Sequence, residues 1–167
     1  FEHMGFKVII ENGPHVVKVS GLGFERLVIH DFGLETKSGS AVDVTAVKKA
    51  FEDAFARVWQ GDAESDGFNA LVVGAGLTWR EVVIIRAYCK YLRQTGITYS
   101  QTYMEQTIDR HSDFARMLVD LFVAIFEPGK KPGKAAEKIH TVYLERLEAV
   151  SSADEDRILR RFLNAID

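Results

Sequence analysis

The segment Gly74-Ala-Gly76-Leu-Thr78-Trp79-Arg80-Glu81, continuing through Val82 to Gln94, constrains the fold most, because its local signals require incompatible structures. Leu71-Val-Val-Gly74-Ala-Gly76 reads as a strand turning through glycines into a helix, the opening of a dinucleotide-binding βαβ unit. Two physical requirements of that unit are missing. The third glycine of G-x-G-x-x-G lets the helix pack closely on its strand, and that position holds Trp79. An acid about 20 residues beyond the first glycine should hold the ribose hydroxyls. The chain there reads Leu92-Arg93-Gln94-Thr95-Gly96. A dinucleotide-binding enzyme module built on Gly74 and Gly76 is therefore the weaker alternative.

Read as a helix, the same segment is well formed. Thr78 and Glu81 make a T-x-x-E capping box, and Gly96 is a natural left-handed stop. Ile84, Ile85, Tyr88, Tyr91 and Leu92 fall on one broad face, with Arg86, Lys90 and Arg93 as a narrow basic stripe opposite. A helix apolar around so much of its circumference belongs inside the protein. Cys89, the single cysteine, lies midway along it; it reads as a small buried hydrophobe and excludes an internal disulfide framework.

Before this helix the chain changes character. Residues 6–11 and 15–20 flank Asn12-Gly13, a strong hairpin signal, and residues 25–35 follow a Gly21-Leu-Gly23 turn, which together predict a small antiparallel sheet. Residues 37–42 turn to Ser, Gly and Ala, a linker. Asp43 or Thr45 then caps a helix with Val47, Phe51, Ala54, Phe55 and Val58 at spacings of three and four, ending near Gly61. After the acidic loop 62–66, residues 68–73 suit a short helix, although their valines would also suit a strand.

Further on, Ser100 caps a helix reaching Arg110, and another runs from Ser112 to Phe126. The second carries Arg116 and Asp120 and is too short to span a bilayer. Pro128-Gly-Lys-Lys-Pro132-Gly133 breaks the pattern. Residues 135–150 form the next helix, and Ser152 with Glu155 offers a second capping box for the last. The expected fold is α+β and mostly α: a sheet module over 1–36, a helical bundle-like region over 37–127, and a linker with two more helices over 128–167.

The 167 residues carry 21 basic and 24 acidic side chains, a net charge of −3, so no global field favours nucleic acid or an anionic membrane. The five histidines never fall at metal-ligand spacing with one another or with Cys89. No nucleophile elbow occurs, and the acidic pairs Glu52-Asp53 and Asp154-Glu155-Asp156 read as surface or capping charges. His30-Asp31 would be a catalytic dyad only if other groups converged on it. Arg86, Lys90 and Arg93 are the best candidates for a specific role, holding an anion or an acidic surface of another domain. The competing reading is internal ion pairing with Asp53, Glu81 or Asp120. Lys130, Lys131, Lys134 and Lys138 read as a solvated linker.

Gly5 reads as the stop of a helix whose body precedes it, and the apolar period of Phe162, Leu163 and Ile166 runs on without a stop signal. A segment of a longer polypeptide is expected. The opening residues have neither the basic start nor the apolar run of a signal peptide, and the single cysteine fits a reducing compartment.

Several stretches resemble the large bacterial NAD-specific glutamate dehydrogenases: Ile29-His30-Asp31-Phe-Gly33-Leu-Glu35, Phe51-Glu-Asp53-Ala-Phe55 with Val58-Trp59, and Asp66-Gly67-Phe68-Asn69-Ala-Leu71. So do Leu77-Thr-Trp79-Arg80-Glu81-Val, Arg86-Ala-Tyr88-Cys-Lys90-Tyr91-Leu92-Arg93-Gln94 and Asp154-Glu-Asp156-Arg157-Ile158-Leu-Arg160-Arg161-Phe162, in the family's order and spacing. The resemblance implies a long, cytoplasmic, homo-oligomeric enzyme of amino-acid catabolism that deaminates L-glutamate with NAD. It also implies that this stretch is the end of an ACT-like regulatory module and a helical region, preceding the catalytic domain. On that reading no catalytic, cofactor-binding or metal residue lies here. NAD binds elsewhere in the parent, the partners are the rest of the polypeptide and further subunits, and an amino-acid effector fits the ACT-like part. A free-standing helical interaction module is the remaining alternative.

Overall fold

A computed structural model describes residues 1–18, 26–39, 41–129 and 133–167. Two strands, β1 (Phe6–Lys18) and β2 (Arg26–Thr36), form an antiparallel ribbon, followed by helices α1 (Val44–Gln60), α2 (Leu71–Gly74), α3 (Trp79–Gln94) and α4 (Gln101–Arg110). Helices α5 (Ser112–Phe126), α6 (Lys134–Leu147) and α7 (Ala153–Ile166) complete the described elements. The expected α+β, mainly helical fold is the observed one.

The expected hairpin at Asn12-Gly13 does not form. β1 runs straight through it, pairing with β2 on both sides of a register irregularity between Asn12 and His15, from Phe6 opposite Thr36 to Lys18 opposite Arg26. The reason is Pro14. A two-residue turn at Asn12-Gly13 needs the amide of the next residue to close it, and proline has none. Gly13 instead takes φ +130° within the irregularity, and the Asn12 amide reaches across to Asp31 at 3.5 Å. Two strands therefore replace the expected three. Ser20, the Gly21-Leu-Gly23 turn and Glu25 lie outside the described residues, as do Lys130 and Lys131.

The helical expectations match closely. Asp43, rather than Thr45, caps α1 by accepting from the amides of Thr45 and Ala46, and Gly61 ends it at φ +81°. Residues 68–73 take the helical option: a 3-10 turn Gly67–Ala70 leads into α2. Thr78 and Glu81 form the complete capping box of α3. Ser100 caps α4 and Ser152 caps α7. The second box is only half made, because the Glu155 carboxylate turns away from its own helix end to Arg110 and His111.

The core lies within the helices. Phe68, Leu77, Ile85, Cys89, Met104, Ile108, Leu118, Ile158 and Phe162 are all fully buried, with α3 packed against α1, α4, α5 and α7. Buried Tyr143 packs edge-on to Phe114 at 4.7 Å and donates its hydroxyl to the Leu159 carbonyl at 3.0 Å, which ties α6 to α5 and α7. On α3 the buried positions are Val82, Ile85, Arg86, Cys89 and Leu92. Tyr91, expected on the apolar face, is 52% exposed, and Arg86, expected on the outer stripe, is buried.

The ribbon has no comparable interior. Val8, Ile9, Ile10, Val16, Val17, Leu27, Val28 and Ile29 are all exposed, so both of its faces are apolar and open. It is anchored towards its base. Met4 is buried, Gly5 takes φ +84° against Ala70, and the Lys37 amide donates to the Gly5 carbonyl at 2.8 Å. Phe1 stacks on Phe55 at 5.3 Å and Phe6 meets Phe51 edge-on at the same distance.

Burial on this pattern predicts unequal sensitivity. Leu118→Ala should cost about 2–5 kcal/mol in urea denaturation, and Ile9→Ala within about 0.5 kcal/mol of nothing. Equal losses would place the ribbon inside the cooperative core.

Candidate functional site

Arg86, Lys90 and Arg93 sit on consecutive turns of α3, and the structure gives each a different fate. Arg86 points into the protein, where its guanidinium donates to both Asp66 carboxylate oxygens at 2.6 and 2.9 Å and to the Asn69 side-chain oxygen at 2.7 Å. Its side chain is 5% exposed and that of Asp66 12%. This fork-to-fork geometry is one that lysine cannot reproduce. Lys90, half-exposed, pairs with Glu64, and Arg93 donates to Gln101 at 2.9 Å. The Lys90 hydrogen bond is the main influence on the Glu64 carboxyl, which lies below its ordinary value.

The acids expected as partners of this stripe are engaged elsewhere or unconnected to it. Glu81 and Asp120 pair with Arg116, at 3.0 and 3.6 Å. The actual partners lie in the acidic loop and the turn after it. Asp66 caps the 3-10 turn through the Phe68 amide while facing Arg86, and the Asn69 amide donates to the Glu64 carbonyl. The signal for this was in the sequence: Asp66-Gly67-Phe68-Asn69 has an N-cap acid and a polar residue one turn apart. Gly67 leaves room for Glu105, since a Cβ would come within 2.7 Å of its Oε2 and 3.1 Å of its Cβ and would push that side chain aside.

The glycine pair has the wrong form for a phosphate cradle. Residues 71–74 are helix rather than strand, and Gly76, at φ +61°, lies in the loop before the Thr78 cap. Arg116 takes hold of that loop, donating to the carbonyls of Ala75 and Gly76 at 3.4 and 2.7 Å as well as to Glu81. Carbonyls, not amides, are thus the groups engaged. Two guanidiniums lie over the Trp79 ring, that of Arg57 at 5.5 Å and that of Arg80 at 5.1 Å from its centroid.

His30 and Asp31 point apart, as strand alternation requires: His30 meets Glu11 across the ribbon at 3.0 Å and Asp31 meets Asn12. Cys89 is fully buried and its thiol is pushed up to about 12 by burial, so it is not a nucleophile. Sequence reasoning missed one buried acid. Glu155 leaves its capping role to bind Arg110 and His111, clamping the junction of α4 and α5 to α7.

Two measurements separate these roles. Arg86→Ala should cost about 3–5 kcal/mol in chemical denaturation by leaving Asp66 and Asn69 unpaired, with no full rescue by Arg86→Lys, whereas Lys90→Ala and Arg93→Ala should each cost under about 1 kcal/mol. Burial works to raise the Glu81 carboxyl, but the Thr78 amide and hydroxyl and Arg116 outweigh it and hold it below the ordinary 4.5. Its folded value being depressed, its contribution is fully present above 4.5 and is lost as pH falls through the folded value. Denaturation midpoints below pH 4.5 should therefore fall less steeply for Glu81→Gln than for the parent chain.

Residues 63–128 match the family model for glutamate dehydrogenase helical motif 3, and residues 1–47 match that for the glutamate dehydrogenase ACT3 domain. Curated relatives named NAD-specific glutamate dehydrogenase include those of Halomonas elongata, 37% identical over 166 residues, and Mycobacterium tuberculosis, 36% over 173. That of Pseudomonas aeruginosa is 38% identical over 170. Each alignment covers 99% of this chain but only 10% of the relative. The Arg86 cluster and the Gly76 loop fall inside the helical-motif match, and the ribbon falls inside the ACT3 match. The chain belongs to the NAD-specific glutamate dehydrogenase family, spanning about a tenth of the length of its relatives.

Proposed function

We propose that this chain is a non-catalytic segment of an enzyme that oxidatively deaminates L-glutamate to 2-oxoglutarate and ammonia with NAD, and that the cofactor binds outside it. The observation that carries this reading is the alignment of nearly the whole chain within one tenth of each relative. The local chemistry is consistent. Arg86 of α3 and Arg116 of α5 are held by acids and carbonyls of the same chain, and Cys89 is sealed in the core.

In this reading the segment has three parts. Residues 1–36 belong to a regulatory ACT-type sheet, 37–127 form a rigid helical body, and 128–167 lead towards the catalytic part. The open apolar faces of the ribbon are where the rest of the polypeptide or another subunit packs, since eight exposed aliphatic side chains on two strands favour coverage. Lys90 and Arg93, at the outer side of α3, contact a neighbouring acidic surface, with Arg86 holding the helix that presents them. The parent is cytoplasmic and homo-oligomeric, and the ACT-type part transmits an amino-acid signal. No described helix is long and apolar enough to cross a membrane.

Titrating NAD into this chain by calorimetry tests the assignment, with no binding heat expected. Micromolar affinity, lost on Gly76→Val, would favour the dinucleotide-binding alternative. Sedimentation tests the ribbon: the chain should self-associate with rising concentration, and Ile9→Lys with Val17→Lys should hold it monomeric. A parent chain that stays monomeric throughout contradicts the packing role.

A further inference from the structure

An asparagine or aspartate followed by glycine carries a latent reaction. The glycine amide nitrogen attacks the side-chain Cγ and a succinimide ring closes, because no side chain on the following residue obstructs the approach. Of the three asparagines, Asn12, Asn69 and Asn164, only Asn12 precedes glycine, and of the aspartates only Asp66 does. The fold treats these two sites in opposite ways. Asp66 is locked: its side chain is 12% exposed, both of its oxygens accept from Arg86, and one also accepts from the Phe68 amide. Asn69 is buried, with its oxygen on Arg86 at 2.7 Å and its amide on the Glu64 carbonyl at 2.9 Å. Asn164 is exposed but lies within α7 and precedes Ala165, whose backbone belongs to the helix.

Asn12 has none of these restraints. It is exposed, and among the described residues its side chain makes one hydrogen bond, to exposed Asp31 at 3.5 Å, the outer limit for such a bond. Gly13 and Pro14 fall in the gap between the paired residues Asn12–Asp31 and His15–Ile29, so the ladder is interrupted at the peptide that has to rotate for ring closure. Gly13 is itself dictated by the structure. Its φ is +130°, and a Cβ there would come within 3.0 Å of the Ile29 carbonyl oxygen and 3.2 Å of the His15 nitrogen. The residue that the irregularity requires is the one that leaves Asn12 unprotected.

We infer that Asn12 is a site of spontaneous deamidation in the folded chain. The bond from the Gly13 nitrogen to Asn12 Cγ forms as the bond from Cγ to Nδ2 breaks, and the side-chain nitrogen leaves as ammonia with the proton from the Gly13 amide. Water then opens the succinimide, at Cγ to give aspartate or at the backbone carbonyl to give isoaspartate. Either product sets a carboxylate opposite Asp31, its partner in the register, and isoaspartate adds one atom to the backbone path of β1. Like charges directly opposite weaken a strand pair. By alternation along β2, Asp31 shares its face with Ile29 and Leu27, both exposed, so the new charge appears on an apolar face of the ribbon. In its consequence for assembly the inference rests on the packing role given to the ribbon above; the chemistry at Asn12 does not.

The experiment is peptide-mapping mass spectrometry of the chain incubated in mildly alkaline buffer, once folded and once in urea, with isoaspartate resolved by chromatography. Position 12 should gain one mass unit, with isoaspartate among the products, and the folded rate should lie within about threefold of the rate in urea, since no local opening has to precede the reaction. Asp66 is the internal contrast: its isomerisation should be at least about tenfold slower in the folded chain than in urea, because Arg86 must first release it. Asn12→Gln, whose ring closure is disfavoured by the longer side chain, should stay unmodified at that position. The proposal is overturned if folding slows the reaction at Asn12 by more than about threefold, or if Asp66 is no better shielded than Asn12. Sedimentation of aged against fresh chain reads the consequence, with weaker self-association expected after ageing. A fresh chain that stays monomeric removes the packing role of the ribbon and leaves the mass result standing, so the two readings fail separately.

Discussion

The helical body depends on one buried cation. Arg86 stands on the interior side of the central helix, and its guanidinium gathers Asp66, Asn69 and the Glu64 carbonyl into one network. Without it, Asp66 would face the flank of an apolar helix unpaired, and only the more exposed pairs of Lys90 with Glu64 and Arg57 with Asp62 would hold the acidic loop 62–66. With it, the loop is fixed, Asp66 caps the 3-10 turn, and the turn delivers Phe68 and Leu71 into the core. The energetic logic is asymmetric: desolvating the pair offsets much of its attraction, but removing one partner leaves the other buried and unsatisfied. Arg86 thus specifies where the loop goes more than it adds stability.

From that fixed point two kinds of order separate. The helices close a core in which no described buried side-chain polar atom lacks a partner. The ribbon has pairing but no interior. What joins them is short: a buried Met4, the close approach of Gly5 to Ala70, the backbone bond from Lys37 to Gly5, and the ring contacts of Phe1 with Phe55 and Phe6 with Phe51. A ribbon held towards its base works as a lever, since anything that packs on its apolar faces acts on the helical body through these few contacts.

Much of this was legible from local rules. Caps at Asp43, Thr78 and Ser100, and left-handed glycines at Gly61 and Gly96, depend on residues a few positions apart, and the structure follows them. The failures share a cause. The Asn12-Gly13 signal was overridden by its immediate neighbour Pro14, which withdraws the amide a tight turn needs. Arg86 was placed outside because periodicity sees an arginine as a polar residue, whereas a partner 20 positions away in sequence decides whether it is buried. Glu155 was read as half of a capping box because its true partners lie at the end of α4 and in the joint to α5, 45 and 44 residues away. Side-chain pairing across the fold is not written in spacing.

The same distinction is seen at the glycine pair, whose local sequence suggests a phosphate loop and whose long-range contacts give it another form. A phosphate-binding loop works by presenting a concave run of amides at a helix N-terminus. Here the amides that matter are committed: Glu81 satisfies the Thr78 amide, Thr78 satisfies that of Glu81, and the loop's outward groups are carbonyls seized by Arg116. Arg116 is bound to Glu81 and to two carbonyls at once, so it has little left to offer a ligand. The loop's chemistry is spent on holding α3 to α5, with Thr78 and Glu81 committed to each other and Arg116 to the carbonyls between them.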